Sequence, residues 1–505
     1  MKISRWGVFE VEIEGPREGN PFTDHWIRGR FTGKNEIVEA DGFYDGDGIY
    51  KVRFMPSFEG DYTYEIVSDF GGARTGAFQV EPALPGNHGP VRVANTFHMA
   101  YEDGTPYYSI GTTCYVWELQ SDVLIGQTFQ SLKESPFNKI RFCIFPKHYD
   151  FNLGEPRSYP YEGTPMDSSV LTPDNFSQYG PESQGNQWDF SRFNPEHFRH
   201  IEKCIQKLGD MGIEADLILM HPYDRWGFSK MPKEADDLYL NYVTARFGAF
   251  HNVWWSLANE YDLCEYKTLA DWERFAAIIC DKDPYHHMRS VHNCKPFYDF
   301  RRPWVTHCSI QRQDFYKTAE YVDRWREEYQ KPVILDEIAY EGNVSHGWGN
   351  ITGEELVRRF WEAACRGGYA GHGETYMSED NVLWWSHGGV LHGESYKRFK
   401  FLHDILCETP GLGLRYAGGG DEVRAVPQET WAYMKPVQDY YLIYYSFMRP
   451  SFRTYYFDDT TRFHLYVLDT WNMTREDRGI VRGRFKVELP GRPYMAIQLK
   501  KVEEL

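Results

Sequence analysis

NVWWSLANEYD (residues 252–262) is a short apolar run that breaks off into Asn259 and Glu260. A run of this length bounded by polar residues reads as a strand buried on both faces, as in a parallel sheet. PVILDEIAYEG (332–342) repeats the pattern and ends at Glu337. About 77 residues separate the two glutamates, which is three β/α units. In a (β/α)8 barrel that spacing fits the fourth and seventh strands, whose C-terminal ends lie on the face that carries active sites.

Working outward, six further runs complete the set. The candidate strands are 107–112, 138–145, 214–220, 252–258, 287–292, 304–309, 332–338 and 368–373. Helices fall between them. The clearest spans 195–211: Asn194 can cap it, Pro195 suits its first turn, and Phe198, Ile201, Ile205, Leu208 and Met211 share a face. Gly212 then ends it, while Thr268/Asp271 and Thr352/Glu355 have capping-box spacing for later helices. A doubly wound sheet is the alternative, disfavoured because no GxGxxG follows the first strand.

Both flanks read as β-rich. The first 90 residues hold short alternating runs (VEIEG, HWIRGRF, YKVRFMP, DYTYEIVS, TGAFQVEP) split by turn residues, and LPGNHGP (84–90) reads as a linker. After residue 410, EVRAVP, TWAYMKP, YYLIYYSF, RTYYF, RFHLYVLDTW, GRFKVELP and YMAIQLKKV read as strands. The expected fold is α/β: an N-terminal Ig/fibronectin-like β-sandwich (1–90), a (β/α)8 barrel (91–410) and a small C-terminal β-sandwich domain (411–505).

Composition narrows the function. A formal net charge of −18 argues against a nucleic-acid partner, which needs clustered Lys and Arg. Aromatic residues reach 17 %, as in proteins that pack sugar C–H faces against rings, although β-rich cores also use them. No apolar stretch is long enough for a membrane span, and MKISRWGVFEVEIEG lacks the apolar core of a signal peptide. Nine cysteines without a CxxC pair read as reduced thiols. These features predict a cytoplasmic protein acting on a small, imported substrate, without membrane partner or cofactor. No HExxH-like spacing suggests a metal.

Paired carboxylates at a barrel mouth suit glycosidic cleavage. One protonates the leaving oxygen; the other attacks the anomeric carbon at a separation of about 5–5.5 Å, or activates water across about 6.5–9.5 Å. WWSLANEYD resembles the Asn-Glu signature of the large (β/α)8 glycosidase clan, and PVILDEIAYEG resembles its seventh-strand nucleophile. The barrel is similar to apiosidase-like barrels. NPFTDHWIRGRF and GFYDGDGIYKVRFMPSFEGDYTYEI resemble the DUF5060-type sandwich that precedes such barrels, and the C-terminal strands resemble a DUF5605-type domain. The resemblance implies a retaining glycosidase with Glu260 as acid/base, Glu337 as nucleophile and Asn259 holding the sugar 2-OH. In the apiosidases the acid/base position is Asp, so Glu260 departs from them and apiose specificity does not carry over.

The scheme needs Glu260 protonated and Glu337 ionised among donors, with Arg141 (KIRFCIF) as a neighbour that clan members share. Other strand-end residues complete the expected pocket: Trp117 and Glu118 (GTTCYVWEL), His148 (FPKHYD), His221 (LILMHPYD), His307 and Gln311 (THCSIQRQ) and Glu374 (GHGETY). Of the adjacent Trp384 and Trp385 at most one faces the pocket if the stretch is extended, and Trp385 is favoured as the sugar-stacking ring. The bland alternatives are structural: packing for Trp117, a loop cap for Glu374, satisfied interior positions for His221 and His307. The long loop 146–190 is expected to wall one side and make cleavage exo-acting on small oligosaccharides or plant glycosides. An endo-glycanase or a non-catalytic sugar-binding protein on the same scaffold are the competing readings, and a homo-oligomer is expected from the two accessory β-domains.

Overall fold

The computed structural model describes residues 1–502 apart from 312, 313, 315, 380, 381 and 429–437. The expected strand TWAYMKP therefore lies outside the described residues.

Eight parallel strands form the centre: β1 (Ile110–Thr113), β2 (Lys139–Cys143), β3 (Glu214–Met220), β4 (Val253–Ala258), β5 (Arg289–Ser290), β6 (Cys308–Gln311), β7 (Val333–Glu337) and β8 (Tyr369–His372). Their sheet order is 5-4-3-2-1-8-7-6. The ring closes between β5 and β6 through a parallel bridge from His292 to Ser309, and the Ser290 hydroxyl donates to the His307 carbonyl at 2.6 Å. Every residue of β3 and β4 is buried, as expected where helices cover the outside and side chains fill the inside.

Besides the one-turn helix Trp384–His387, which takes the place of an extended stretch, the helices are α1 (Asp122–Glu134), α2 (Pro195–Asp210), α3 (Lys233–Phe247), α4 (Leu269–Lys282), α5 (Val322–Tyr329), α6 (Gly353–Cys365) and α7 (Tyr396–Cys407). Local chemistry sets their ends. Asn194 accepts from Glu196 N with Pro195 following, Thr268 and Asp271 form a reciprocal capping box, and Thr352 accepts from Glu355 N. Residues 291–307 link β5 to β6 without an α-helix, which makes the fifth unit the irregular one.

In the N-terminal region a five-stranded and a three-stranded sheet enclose an aromatic core, with Phe9 stacked on Phe78 at 3.9 Å and Phe31 on Phe54 at 4.5 Å. This sandwich packs on the barrel. Arg53 pairs with Glu202, Arg246 with Asp45 at 2.8 Å, and Tyr242 donates to the Tyr44 carbonyl at 3.1 Å. The antiparallel strands Val91–Val93, Met99–Tyr101 and Pro106–Tyr107 precede β1, and the Tyr107 hydroxyl donates to the Asn138 carbonyl just before β2 at 3.2 Å. In the C-terminal region a six-stranded sheet packs on α6, with Trp361 5.8 Å from Tyr444. Among the described residues no helix is long and apolar enough to cross a membrane.

Candidate active site

Glu260 follows Asn259 just beyond β4 and adopts φ 52°, ψ 58°. The left-handed region is uncommon for a residue with a β-carbon and is tolerated where surrounding contacts enforce it. Here Oε1 of Glu260 accepts from Gln311 Nε2 at 2.9 Å, and Oε2 accepts from Asn259 Nδ2 at 3.3 Å and from the Tyr223 hydroxyl.

Glu337 ends β7. The β6–β7 ladder pairs Ser309 with Ile334 and then Gln311 with Glu337, so β7 carries an extra residue. That bulge lets consecutive residues turn the same way, where a regular strand would alternate them. Asp336 accepts from Lys139 Nζ at 2.7 Å and from Ser309 Oγ at 2.5 Å. Glu337 Oε1 accepts from the Tyr115 hydroxyl and from Arg141 Nη1 at 3.4 Å, with His292 Nδ1 3.9 Å away. The Tyr340 hydroxyl stands beside the same carboxylate as a further donor. Tyr115 Oη also lies 3.2 Å from Asn259 Oδ1, so Glu337, Tyr115, Asn259 and Glu260 form a continuous chain of contacts.

The electrostatics are uneven. Arg141 forms an ion pair with Glu337, whereas the groups donating to Glu260 are neutral. Burial and the neighbouring Glu260 push Glu337 above the usual carboxylate range, against Arg141, Tyr115 and Lys147, which pull it down. The donors expected around an ionised Glu337 are present, but burial and the like charge of Glu260 outweigh them. Below the two glutamates, Lys139 also reaches Asp216 at 3.0 Å. Burial raises Asp336, but Lys139 and Arg141 more than offset it and hold that carboxyl well below its ordinary value. A fixed, mostly compensated layer of charge thus supports the floor.

The walls are aromatic. Trp385 lies 5.4 Å from Tyr115, 4.9 Å from Trp348 and 5.9 Å from Tyr149, while Trp384 turns away and donates to Thr112 Oγ1 at 2.8 Å. Lys147 stands against the same surface, with Nζ 3.4 Å from the ring centre of Tyr115, 4.3 Å from Tyr223 and 4.5 Å from Trp385. The loop after β2 contributes Tyr149, whose ring is 4.9 Å from Tyr223, and His148 anchors that loop through the Phe176 carbonyl at 3.1 Å and Arg225 at 3.0 Å.

Of the residues expected from sequence, Asn259, Glu260, Glu337, Arg141, Gln311 and Trp385 come together. Others do not. His307 precedes β6, packs 5.2 Å from Trp254 and lies toward the N-terminal end of the barrel; burial lowers its imidazole to about 3. Glu374 is consumed by backbone: its oxygens accept from His392 N at 2.5 Å and Gly393 N at 2.7 Å. Trp117 packs edge-on to Phe129 at 5.0 Å and Phe142 at 5.6 Å. Glu118 is fully buried without a side-chain partner among the described residues, and burial pushes its carboxyl well up. His148 is a loop anchor, and His221 points Nε2 at the Phe145 carbonyl, 3.3 Å away, behind the wall. Tyr115, Tyr223, Lys147 and His292 were not singled out by sequence. Tyr115 and Tyr223 each stand two or three residues past a strand end, beside residues that were.

A barrel whose C-terminal mouth holds two linked carboxylates under an aromatic wall has the parts of a glycoside hydrolase, and the comparisons place it in that class. The model of the apiosidase-like catalytic domain matches residues 94–397, with DUF5060 matching 2–69 and DUF5605 matching 430–500. A crystal structure from Bacteroides vulgatus ATCC 8482, provisionally assigned to the glycoside hydrolases, is 34 % identical, with a TM-score of 0.90 over 99 % of this chain and 100 % of that one. A second structure, described as a glycoside hydrolase, shares the fold at 14 % identity and a TM-score of 0.60, covering 84 % of this chain and 99 % of that one. A family 5 glycoside hydrolase from Bacteroides vulgatus ATCC 8482 does so at 14 % and 0.58, over 83 % and 95 %. No curated protein matches the chain. The protein is a glycosidase, and it belongs to the apiosidase-like family.

Proposed function

We propose that the enzyme is a retaining, exo-acting glycosidase on small glycosides, with Glu337 as nucleophile and Glu260 as acid/base. The observation that carries this is the asymmetric pair. Glu337 is gripped by Tyr115 and forms an ion pair with Arg141, while Glu260 is met by neutral donors and forms no ion pair among the described residues. The fixed charge of Arg141 favours an anion at Glu337 and so gives that residue the nucleophile's part, leaving the acid's part to Glu260.

Glu337 attacks the anomeric carbon as the bond to the aglycone oxygen breaks, and the Glu260 proton goes to that oxygen. The nucleophile's charge then disappears into the ester, which removes the repulsion on Glu260 and leaves it an anion able to take a proton from water. Water attacks the anomeric carbon, the ester C–O bond breaks, and the sugar leaves with its configuration retained. Asn259, between the two carboxylates, is placed for the sugar 2-OH. The loop after β2, pinned across the wall by His148 and Arg225, supports exo action.

The test is a panel of aryl glycosides, pentosides and hexosides of both anomers, with the product anomer followed by NMR. A single released sugar of retained configuration is expected. Initial formation of the opposite anomer would replace double displacement by direct water attack.

A further inference from the structure

Resting on that glycosidase reading, one side chain at the mouth has no structural explanation. Lys147 is 3 % exposed, and its ammonium meets aromatic rings rather than a hydrogen-bond or ion-pair partner among the described residues. An ammonium carries three donors, and Lys147 Nζ is not among the fully enclosed unpaired atoms, so its donors remain open to a group that enters the site. The rings around it hold the charge through cation–π attraction. Two of these rings belong to the reacting machinery: the Tyr115 hydroxyl donates to Glu337 and the Tyr223 hydroxyl to Glu260. The ammonium thus lies against the two phenols that hold the carboxylates, beside the Trp385 face.

We propose that Lys147 is a substrate-binding residue that selects the glycone, donating to an oxygen of the sugar held between Glu260 and Glu337. A structural lysine would be met by a carbonyl or carboxylate of its own chain; this one leaves its donors for an acceptor that arrives with the ligand. The acceptor chemistry is a sugar oxygen, supplied either by a hydroxyl of a neutral glycone or by the carboxylate of a uronic acid. Burial lowers the Lys147 ammonium to about 8, opposed by Cys143, Glu260 and Glu337. Productive binding should therefore weaken as pH rises through about 8 in the free enzyme, because the donor loses its charge. A bound acceptor would raise that value.

The experiment compares wild type, Lys147→Met and Lys147→Arg on neutral aryl glycosides and the matching aryl uronides. Calorimetric titration with the free monosaccharides and uronic acids runs in parallel, with thermal melts of each variant. The expected result is a fall in kcat/KM of at least 30-fold in Lys147→Met, mostly in KM, loss of the alkaline limb near pH 8, and a melting temperature at or above wild type. Lys147→Arg should recover part of the affinity. A loss confined to uronides identifies a carboxylate acceptor, and a loss on neutral sugars a hydroxyl. Lys147→Met that turns over its substrate with unchanged KM and alkaline limb overturns the proposal while leaving the glycosidase reading intact. If wild type cleaves nothing, a sugar bound by wild type but not by Lys147→Met still supports the lysine's role; no sugar bound by either overturns both readings.

Discussion

Glu260 and Glu337 form one carboxylate pair at the barrel mouth; Glu341 and Glu374, paired across a short parallel ladder beside β8, form another. Both lie at or just past strand ends, and both are buried. The second pair is spent on structure. Its four oxygens accept successive backbone N–H groups, His392 and Gly393 on Glu374, Glu394 and Ser395 on Glu341 at 2.8 and 2.9 Å. The first pair meets side chains instead, Tyr115 and Arg141 on Glu337, Gln311, Asn259 and Tyr223 on Glu260. A carboxylate that fixes its own loop cannot also meet a sugar, so the partners separate catalytic from structural acids where position along the strand does not.

Substitutions should divide the two pairs cleanly. Glu337→Ala is expected to lower kcat by roughly 10⁴-fold or more with the fold kept, as removal of a nucleophile does; steady-state rates beside a melt will show it. Glu374→Ala should do the reverse. It strands two backbone donors at about 1–3 kcal/mol each, so denaturant midpoints should fall sharply while the folded fraction keeps kcat within about tenfold, an allowance on the order of 1.4 kcal/mol. Equal losses of turnover in both would erase the distinction.

A smaller effect follows from Tyr115. Its phenol is a positioned donor to Glu337, and Tyr115→Phe should cost about 10²-fold in kcat, with little change in stability. The pH dependence is more specific still. Glu337 sits above the usual carboxylate range, by burial first and Glu260 second. Its anion is therefore lost at a higher pH than an ordinary glutamate's as pH falls, and the acid limb of kcat/KM should lie above about pH 4.3. In Glu260→Gln, assayed with an aryl leaving group that needs no proton, one cause of the rise is gone and the limb should move to lower pH. A limb that stays put would show that the two carboxyls do not interact. The smallest effect is expected at His307→Gln, remote from the mouth, whose kcat/KM should remain within a few-fold of wild type, less than about 1 kcal/mol.

The barrel was legible because period, length and strand ends all agree for β3, β4 and β7, where apolar runs stop at polar residues. Glu260, Asn259 and Glu337 followed from the same stops. His307 was misplaced because β6 begins at Cys308 rather than ending near it, and four residues of register move a side chain from one end of the barrel to the other. Glu374 was at the right end, but its backbone partners lie 18 and 19 residues away and leave no local signal. Trp117 and Glu118 turn outward in a 3-10 turn, a direction that composition does not encode. The β7 bulge that aims both Asp336 and Glu337 inward is likewise invisible to a period-two reading. Lys147 was passed over beside His148, since nothing in FPKHYD says which of the two faces the rings.

The central claim is the assignment of roles within the first pair, and azide tests it most directly. With an accepted aryl glycoside, Glu260→Ala should still form the ester on Glu337, and added azide should attack it, restoring turnover and releasing a glycosyl azide of retained configuration. Glu337→Ala with azide should instead give the inverted azide or nothing. A retained azide from Glu337→Ala, or an inverted one from Glu260→Ala, would contradict the account.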